Sequence, residues 1–158
     1  NRNERRLARN SALSATTNLD VVSGRGHRFA EEISSLPIIL GDYSENGEKI
    51  DIESFNLSGG TRKVNAIFEA LGLGDDLIRA RNGRKIRAGK GTMRGRVRRT
   101  PKSVLLVVAN KDGLAKSARN LPGVDVVAAR DLSAEDLAPG GDLGRLTVFT
   151  KAAVEALN

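Results

Sequence analysis

A mostly parallel β-sheet covered by helices on both faces is the fold class that this sequence predicts, a three-layer α/β arrangement. Two observations carry it. Leu36–Leu40, Ser103–Ala109, Val124–Val127 and Leu146–Phe149 are apolar at nearly every position, and stretches with helical spacing separate them. A strand that is apolar throughout must be covered on both faces, and alternating strands and helices supply that cover. The expected crossovers are right-handed. The arrangement is Rossmann-like in the loose sense, and non-nucleotide-binding. The 158 residues suit one domain over 1–158. With only Phe29, Tyr43, Phe55, Phe68 and Phe149 as aromatics, the core must be built from Val, Ile, Leu and Ala.

In chain order, residues 3–16 predict an amphipathic helix. Asn3 is its cap, Leu7, Ala8, Ala12 and Leu13 share a face, and Arg5, Arg6 and Arg9 lie opposite. A short helix follows Asn18 and stops at Gly24. Arg25-Gly-His-Arg28 makes a small basic turn. Leu36–Leu40, closed by Gly41-Asp42, predicts a buried strand, and 43–59 an irregular excursion. Val64, Ile67, Phe68 and Leu71 mark a helix from about Thr61 to Gly72, and Asp75–Arg79 adds one further turn. After Pro101 the strand 103–109 is the strongest in the chain. A helix near 113–120, the strand 124–127, a short helical segment from Ser133 and a break at Pro139-Gly-Gly141 follow. Strand 146–149 leads to a last helix capped by Thr150, with Val154 and Leu157 facing inward.

Between Arg79 and Lys102 the chain carries eleven lysines and arginines and no acidic residue. Overall there are 26 basic and 19 acidic residues; without this stretch 15 basic residues face 19 acidic ones. The molecule is therefore a mildly acidic body with one concentrated positive segment, the asymmetry of a polyanion binder. A solvated surface loop usually interleaves its charges, and this one does not. Gly83, Gly89, Gly91 and Gly95 interrupt it and let backbone approach a phosphate. Arginine outnumbers lysine eight to three there, and guanidinium binds phosphate through two donors and stacks on bases. A glycine-rich, non-periodic segment does not suit a major groove. It predicts an extended arm that follows folded RNA and orders on binding.

Other chemistry has few residues to work with. No cysteine is present, which removes disulfides, thiolate metal sites and cysteine nucleophiles and fits an intracellular protein. His27 is the single histidine, too few for the usual zinc or haem sites, and is read as a partly buried turn residue rather than an RNA contact. Gly89-Lys-Gly-Thr-Met-Arg-Gly95 misses the dinucleotide fingerprint by one residue and precedes a strand instead of following one. Asp75-Asp76 and Glu135-Asp136 look like helix N-terminal acids. No run approaches the ~18 apolar residues of a membrane span. The Asn56-Leu57-Ser58 triplet is read as chance. Neither catalysis nor a cofactor, metal or small-molecule substrate is expected.

Arg84-Lys-Ile-Arg-Ala-Gly-Lys-Gly-Thr-Met-Arg-Gly-Arg96 followed by Pro101-Lys-Ser-Val-Leu105 closely resembles the large-subunit ribosomal protein L-four family in its archaeal and eukaryotic form. Arg6–Leu13 with Arg25-Gly-His27, Ser117–Gly123, and above all Leu137–Thr150 resemble it in the same order. The resemblance covers nearly the whole chain and is weakest over 43–60. It implies a structural, non-catalytic protein of the cytoplasmic ribosome that supports assembly. Its partners would be large-subunit ribosomal RNA of the 23S type and neighbouring large-subunit ribosomal proteins. The expected RNA contacts are Arg81, Arg84, Lys85, Arg87, Lys90, Thr92, Arg94, Arg96, Arg98, Arg99 and Lys102, with Gly89, Gly91 and Gly95 close to phosphate. A second set is Arg2, Arg5, Arg6, Arg25 and Arg28. Pro139-Gly-Gly141 is expected to be structural or to meet a protein neighbour. The family opens with a strand, a helix and a long loop reaching the peptide exit tunnel. This chain starts at Asn1, where that loop returns, so it is expected to be a processed protein or a fragment with one strand of the sheet missing. Related sequences often carry an aromatic near position 98, where this chain has Val97-Arg98, and an arginine there can also stack on a base. The alternative reading is a non-ribosomal RNA-binding regulator, for example of messenger RNA. An α/β enzyme on an anionic substrate is a distant third.

Overall fold

The computed structural model describes residues 1–41, 52–53 and 60–157, and the backbone of 43–45 and 48–50. Its elements are α1 (Arg2–Ala15), α2 (Leu19–Gly24), β1 (Ile38–Leu40), β2 (Tyr43–Glu45), β3 (Glu48–Ile50), α3 (Gly60–Ala70), α4 (Gly74–Asn82) and β4 (Lys85–Ile86). α5 (Lys90–Met93), β5 (Arg98–Arg99), β6 (Leu105–Val108), α6 (Gly113–Ala118), β7 (Asp125–Ala128), α7 (Ala134–Leu137), β8 (Thr147–Thr150) and α8 (Lys151–Leu157) follow. The main sheet is four-stranded and parallel, in the order β1-β8-β6-β7. The expected α/β architecture is therefore the observed one.

Central β6 is buried at every position. Its side chains alternate between two cores, as the strand pleat requires. Leu106 and Val108 pack with Val22, Val64, Phe68, Leu77 and Leu114, so α2, α3, α4 and α6 cover one face. Leu105 and Val107 pack with Ala12, Leu137, Phe149 and Ala153, so α1, α7 and α8 cover the other.

Several expectations are corrected at the edges. Asn1, not Asn3, caps α1; its side chain accepts the Asn3 amide at 3.1 Å. The buried stripe of α1 runs through Ala12 and Thr16, four residues apart. Leu7 stands five residues before Ala12, off that stripe at 3.6 residues per turn, and is 72% exposed. In α8 the inward pair is Ala153 and Leu157, and Val154 faces outward by the same spacing. The strand at 36–40 is not buried throughout. Among the described residues β1 pairs only with β8, and Ile39 is 58% exposed. The excursion at 43–59 contains an antiparallel pair, β2 with β3. Asp42, 46–47, 51 and 54–59, with the Asn56-Leu57-Ser58 triplet, lie outside the described residues.

The largest correction concerns the basic stretch. Its first residues are helical, because α4 continues to Asn82 and carries Arg79 and Arg81 in its last turn. The remainder is not an extended arm. β4 and β5 pair antiparallel, Lys85 opposite Arg99 and Ile86 opposite Arg98, with α5 at the tip. The root of this hairpin is tightly packed. At Gly123, where φ is +76°, a Cβ would fall 2.5 Å from the Pro101 carbonyl oxygen and 2.9 Å from Ala80 Cβ.

Candidate nucleic-acid interface

The hairpin holds itself together through its backbone. The Arg87 amide donates to Val97 O at 2.9 Å, and the Arg96 amide to Gly91 O at 3.1 Å. Thr92 Oγ1 donates to Arg87 O at 2.8 Å, so this expected RNA contact has an internal partner. Gly89 and Gly95 turn the chain at φ of +81° and +74°, a conformation other residues rarely adopt. A Cβ at either would meet nothing within 4 Å, so both backbones face open space. Gly91 differs: it lies inside α5, and the helix rather than a left-handed turn sets its backbone. Arg84, Lys85, Arg87, Lys90, Arg94, Arg96, Arg98 and Arg99 are all exposed. Among the described residues none of them joins an ion pair. Arg87 Nε donates to Arg98 O at 3.4 Å; the other side chains, and the remaining Arg87 donors, are open to an external anion.

Beneath the hairpin, at the N-terminal ends of the parallel strands, lies a second layer of charge that is internally paired. Lys102 Nζ stands 2.6 Å from Asp125 Oδ2, which removes this expected RNA contact from the free set. Arg145 is 1% exposed. It donates to Asp125 Oδ2 at 2.6 Å, to Ser103 O at 3.1 Å and to Asp136 O at 2.9 Å. Burial would raise the Asp125 carboxyl, but Lys102 and Arg145 outweigh it and hold it below the ordinary carboxylate range. Asp76 is 0% exposed and accepts four bonds: Arg28 N at 3.0 Å, His27 Nδ1 at 3.1 Å, Arg79 Nε at 2.8 Å and Ser103 Oγ at 2.6 Å. An ionised carboxylate only accepts, so His27 Nδ1 carries the proton. His27 is thus the buried turn residue expected, while Asp76 is far more than a helix-end acid. Arg79 also donates to Lys102 O at 2.7 Å, tying α4 to the strand end of the stretch.

The model of the ribosomal protein L4/L1 family matches residues 1–158. The chain belongs to this family. It is 49% identical to the large ribosomal subunit protein uL4 of Methanocaldococcus jannaschii over 99% of this chain and 57% of that protein. The protein of the same name from Methanosphaera stadtmanae is 45% identical over 99% of this chain and 56% of that protein. That of Halobacterium salinarum is 43% identical over 98% of this chain and 57% of that protein. The chain thus spans less than two thirds of these relatives.

In this L4/L1-family chain the second set of expected contacts divides. Arg2, Arg5 and Arg6 on α1, and Arg28, are exposed. Arg25 is not available. Its guanidinium donates to the backbone oxygens of Asp142, Leu143 (3.4 Å) and Pro139 (2.8 Å), strapping the 139–143 turn to the end of α2. This gives Pro139-Gly-Gly141 a structural partner. Arg25→Ala is expected to lower stability by about 1–2 kcal/mol, because those carbonyls lose a charged donor. It should leave the salt dependence of RNA binding unchanged. A urea titration and a binding isotherm series check the two parts.

The C-terminal ends of the strands are where open α/β sheets place ligands, at the point where connections leave to opposite faces. In this family member that point lies between β6 and β8, since α6 and α8 lie on different faces. Glu53 occupies it. The carboxylate accepts the amides of Ala109 at 2.7 Å and Asn110 at 3.2 Å, and the Thr150 hydroxyl. The site where an enzyme of this architecture would bind substrate is filled by the chain's own side chain. Thr150 also caps α8, accepting Ala153 N at 3.2 Å. Nothing local marks Glu53 in the sequence, because its partners lie more than fifty residues away.

Proposed function

We propose that this chain is a structural, non-catalytic part of the large ribosomal subunit, in the cytoplasm, and that it supports assembly by holding 23S-type ribosomal RNA with its basic hairpin. The observation that carries this reading is the row of eight exposed hairpin cations, from Arg84 to Arg99, without an ion pair among the described residues. Contacts to phosphate fix position and orientation without reading sequence, which is what a scaffold on folded RNA requires. Arg81, Arg2, Arg5, Arg6 and Arg28 extend the same contact, and neighbouring large-subunit proteins are the further partners. The names of the relatives support the ribosomal setting.

Co-sedimentation tests the proposal. The tagged chain is expected in the large-subunit peak of a gradient after a high-salt wash that strips loosely bound proteins. Recovery on messenger RNA and absence from that peak would favour a regulator outside the ribosome and overturn the reading.

A further inference from the structure

Positive charge continues from the hairpin into a cleft at its root. α3, α4, the first hairpin residues and the turn between α6 and β7 enclose about 1000 Å³. Arg62 from α3, Arg81 from α4, Arg84 at the hairpin start and Arg119 at the end of α6 line it. None of the four joins an ion pair among the described residues. Neither acidic group on its wall, Glu69 or Asp125, pairs with one of the four. Glu69 accepts Asn65 Nδ2 at 2.6 Å, and Asp125 is held by Lys102 and Arg145. Part of the lining is apolar: Leu77 and Leu121 are buried beneath it, Pro122 borders it, and Ile78 stands 56% exposed.

We infer that this cleft takes an unstacked nucleotide of the same RNA, with phosphates on Arg62, Arg81, Arg84 and Arg119 and the base against Ile78 and Pro122. The combination is specific in chemical terms. Guanidinium groups bind phosphate and stack on bases, and a base drawn out of its helix needs an apolar surface to replace its neighbours. The cleft exceeds the ~300 Å³ at which small-ligand sites begin. Continuity decides the occupant: Arg84 belongs both to the cleft and to the hairpin, so one polyanion can run from one to the other. The inference rests on the proposed RNA-binding role of the hairpin.

The test uses the full chain and a large-subunit ribosomal RNA transcript substituted with 4-thiouridine. Arg62 and Arg119 are exposed, so Arg62→Ala with Arg119→Ala is expected to leave the fold intact, which an unchanged thermal midpoint checks. This variant is expected to reduce the slope of log affinity against log salt by about 1.4–1.8 units, the effect of two lost phosphate contacts. Near-ultraviolet cross-linking of the parent chain, read by mass spectrometry, is expected to mark residues within 77–84 or 119–124. An unchanged slope with cross-links confined to the hairpin tip or α1 overturns the inference. So does an unchanged RNA slope with lost binding of poly-glutamate, which would assign the cleft to an acidic protein segment. A hairpin variant, Arg94, Arg96, Arg98 and Arg99 to Ala, separates the two readings. If only the hairpin variant flattens the slope, the cleft falls and the hairpin stands; if neither does, both fall.

Discussion

Replacing Asp76 by alanine is expected to cost about 3–5 kcal/mol of folding stability, the range for removing one partner of a buried charged network. The carboxylate is fully buried and accepts bonds from the 27–28 turn, α4 and the segment leading into β6. Its loss leaves the Arg28 amide, the Ser103 hydroxyl and His27 Nδ1 without an acceptor in a site closed to water. Asp76→Asn preserves the shape and should cost less. Equilibrium unfolding in urea measures both. A loss below about 1 kcal/mol for the alanine variant, no more than a typical single hydrogen bond, would mean that the network does not hold the turn to the sheet.

The same group links stability to pH. Burial by itself would raise the Asp76 carboxyl, but hydrogen bonds from His27, Arg79 and Ser103 outweigh it and hold the group well below its ordinary value of 3.8. A group depressed on folding contributes stability that is fully present above its unfolded value and is lost as pH falls through the folded one. Asp125 is shifted in the same direction. Stability should therefore hold at neutral pH and decline on acidification below about pH 4. The decline should be shallower in the Asp76→Asn variant.

The second large effect is on RNA. Changing Arg94, Arg96, Arg98 and Arg99 to alanine is expected to flatten the salt slope by about 2.8–3.6 units, at 0.7–0.9 per phosphate contact. Between 50 and 200 mM salt that amounts to about a hundredfold less change in affinity. All four side chains are exposed, and the hairpin is bonded by backbone and by the Thr92 and Arg87 side chains, none of them altered, so the thermal midpoint should stay near the parent's. Unchanged slope and affinity would remove the hairpin from the interface.

The strands around β6 were legible because burial on both faces writes itself locally, as unbroken apolar runs. The hairpin was not. Each of its strands has two residues, and three of the four paired side chains are basic, so no alternation of apolar and polar positions signals it. The β2–β3 pair did carry a signal, the Asn46-Gly47 dipeptide between the two strands, which favours a tight hairpin turn. Asp76 resembled an ordinary helix-end acid because two of its partners, His27 and Ser103, lie 49 and 27 residues away. Arg25 looked like one more member of a basic turn, since the carbonyls it straps are more than a hundred residues distant.

The sequence by itself determined the α/β class, the family and the sign and location of the excess charge. Each of these is a property of residue type and spacing along the chain. Only the tertiary structure decided the strand order, and which cations are consumed by the fold. Arg25, Arg79, Lys102 and Arg145 are bonded internally, while the hairpin residues Arg84–Arg99 and the cleft arginines Arg62, Arg81 and Arg119 have no ion-pair partner among the described residues. The reason is physical. An arginine is free or occupied according to which carboxylates and carbonyls the folded chain brings within about 3 Å of it, the reach of a hydrogen bond; Asp76 reaches Arg79 from the same helix, but the groups that hold Arg25 come from a distant segment.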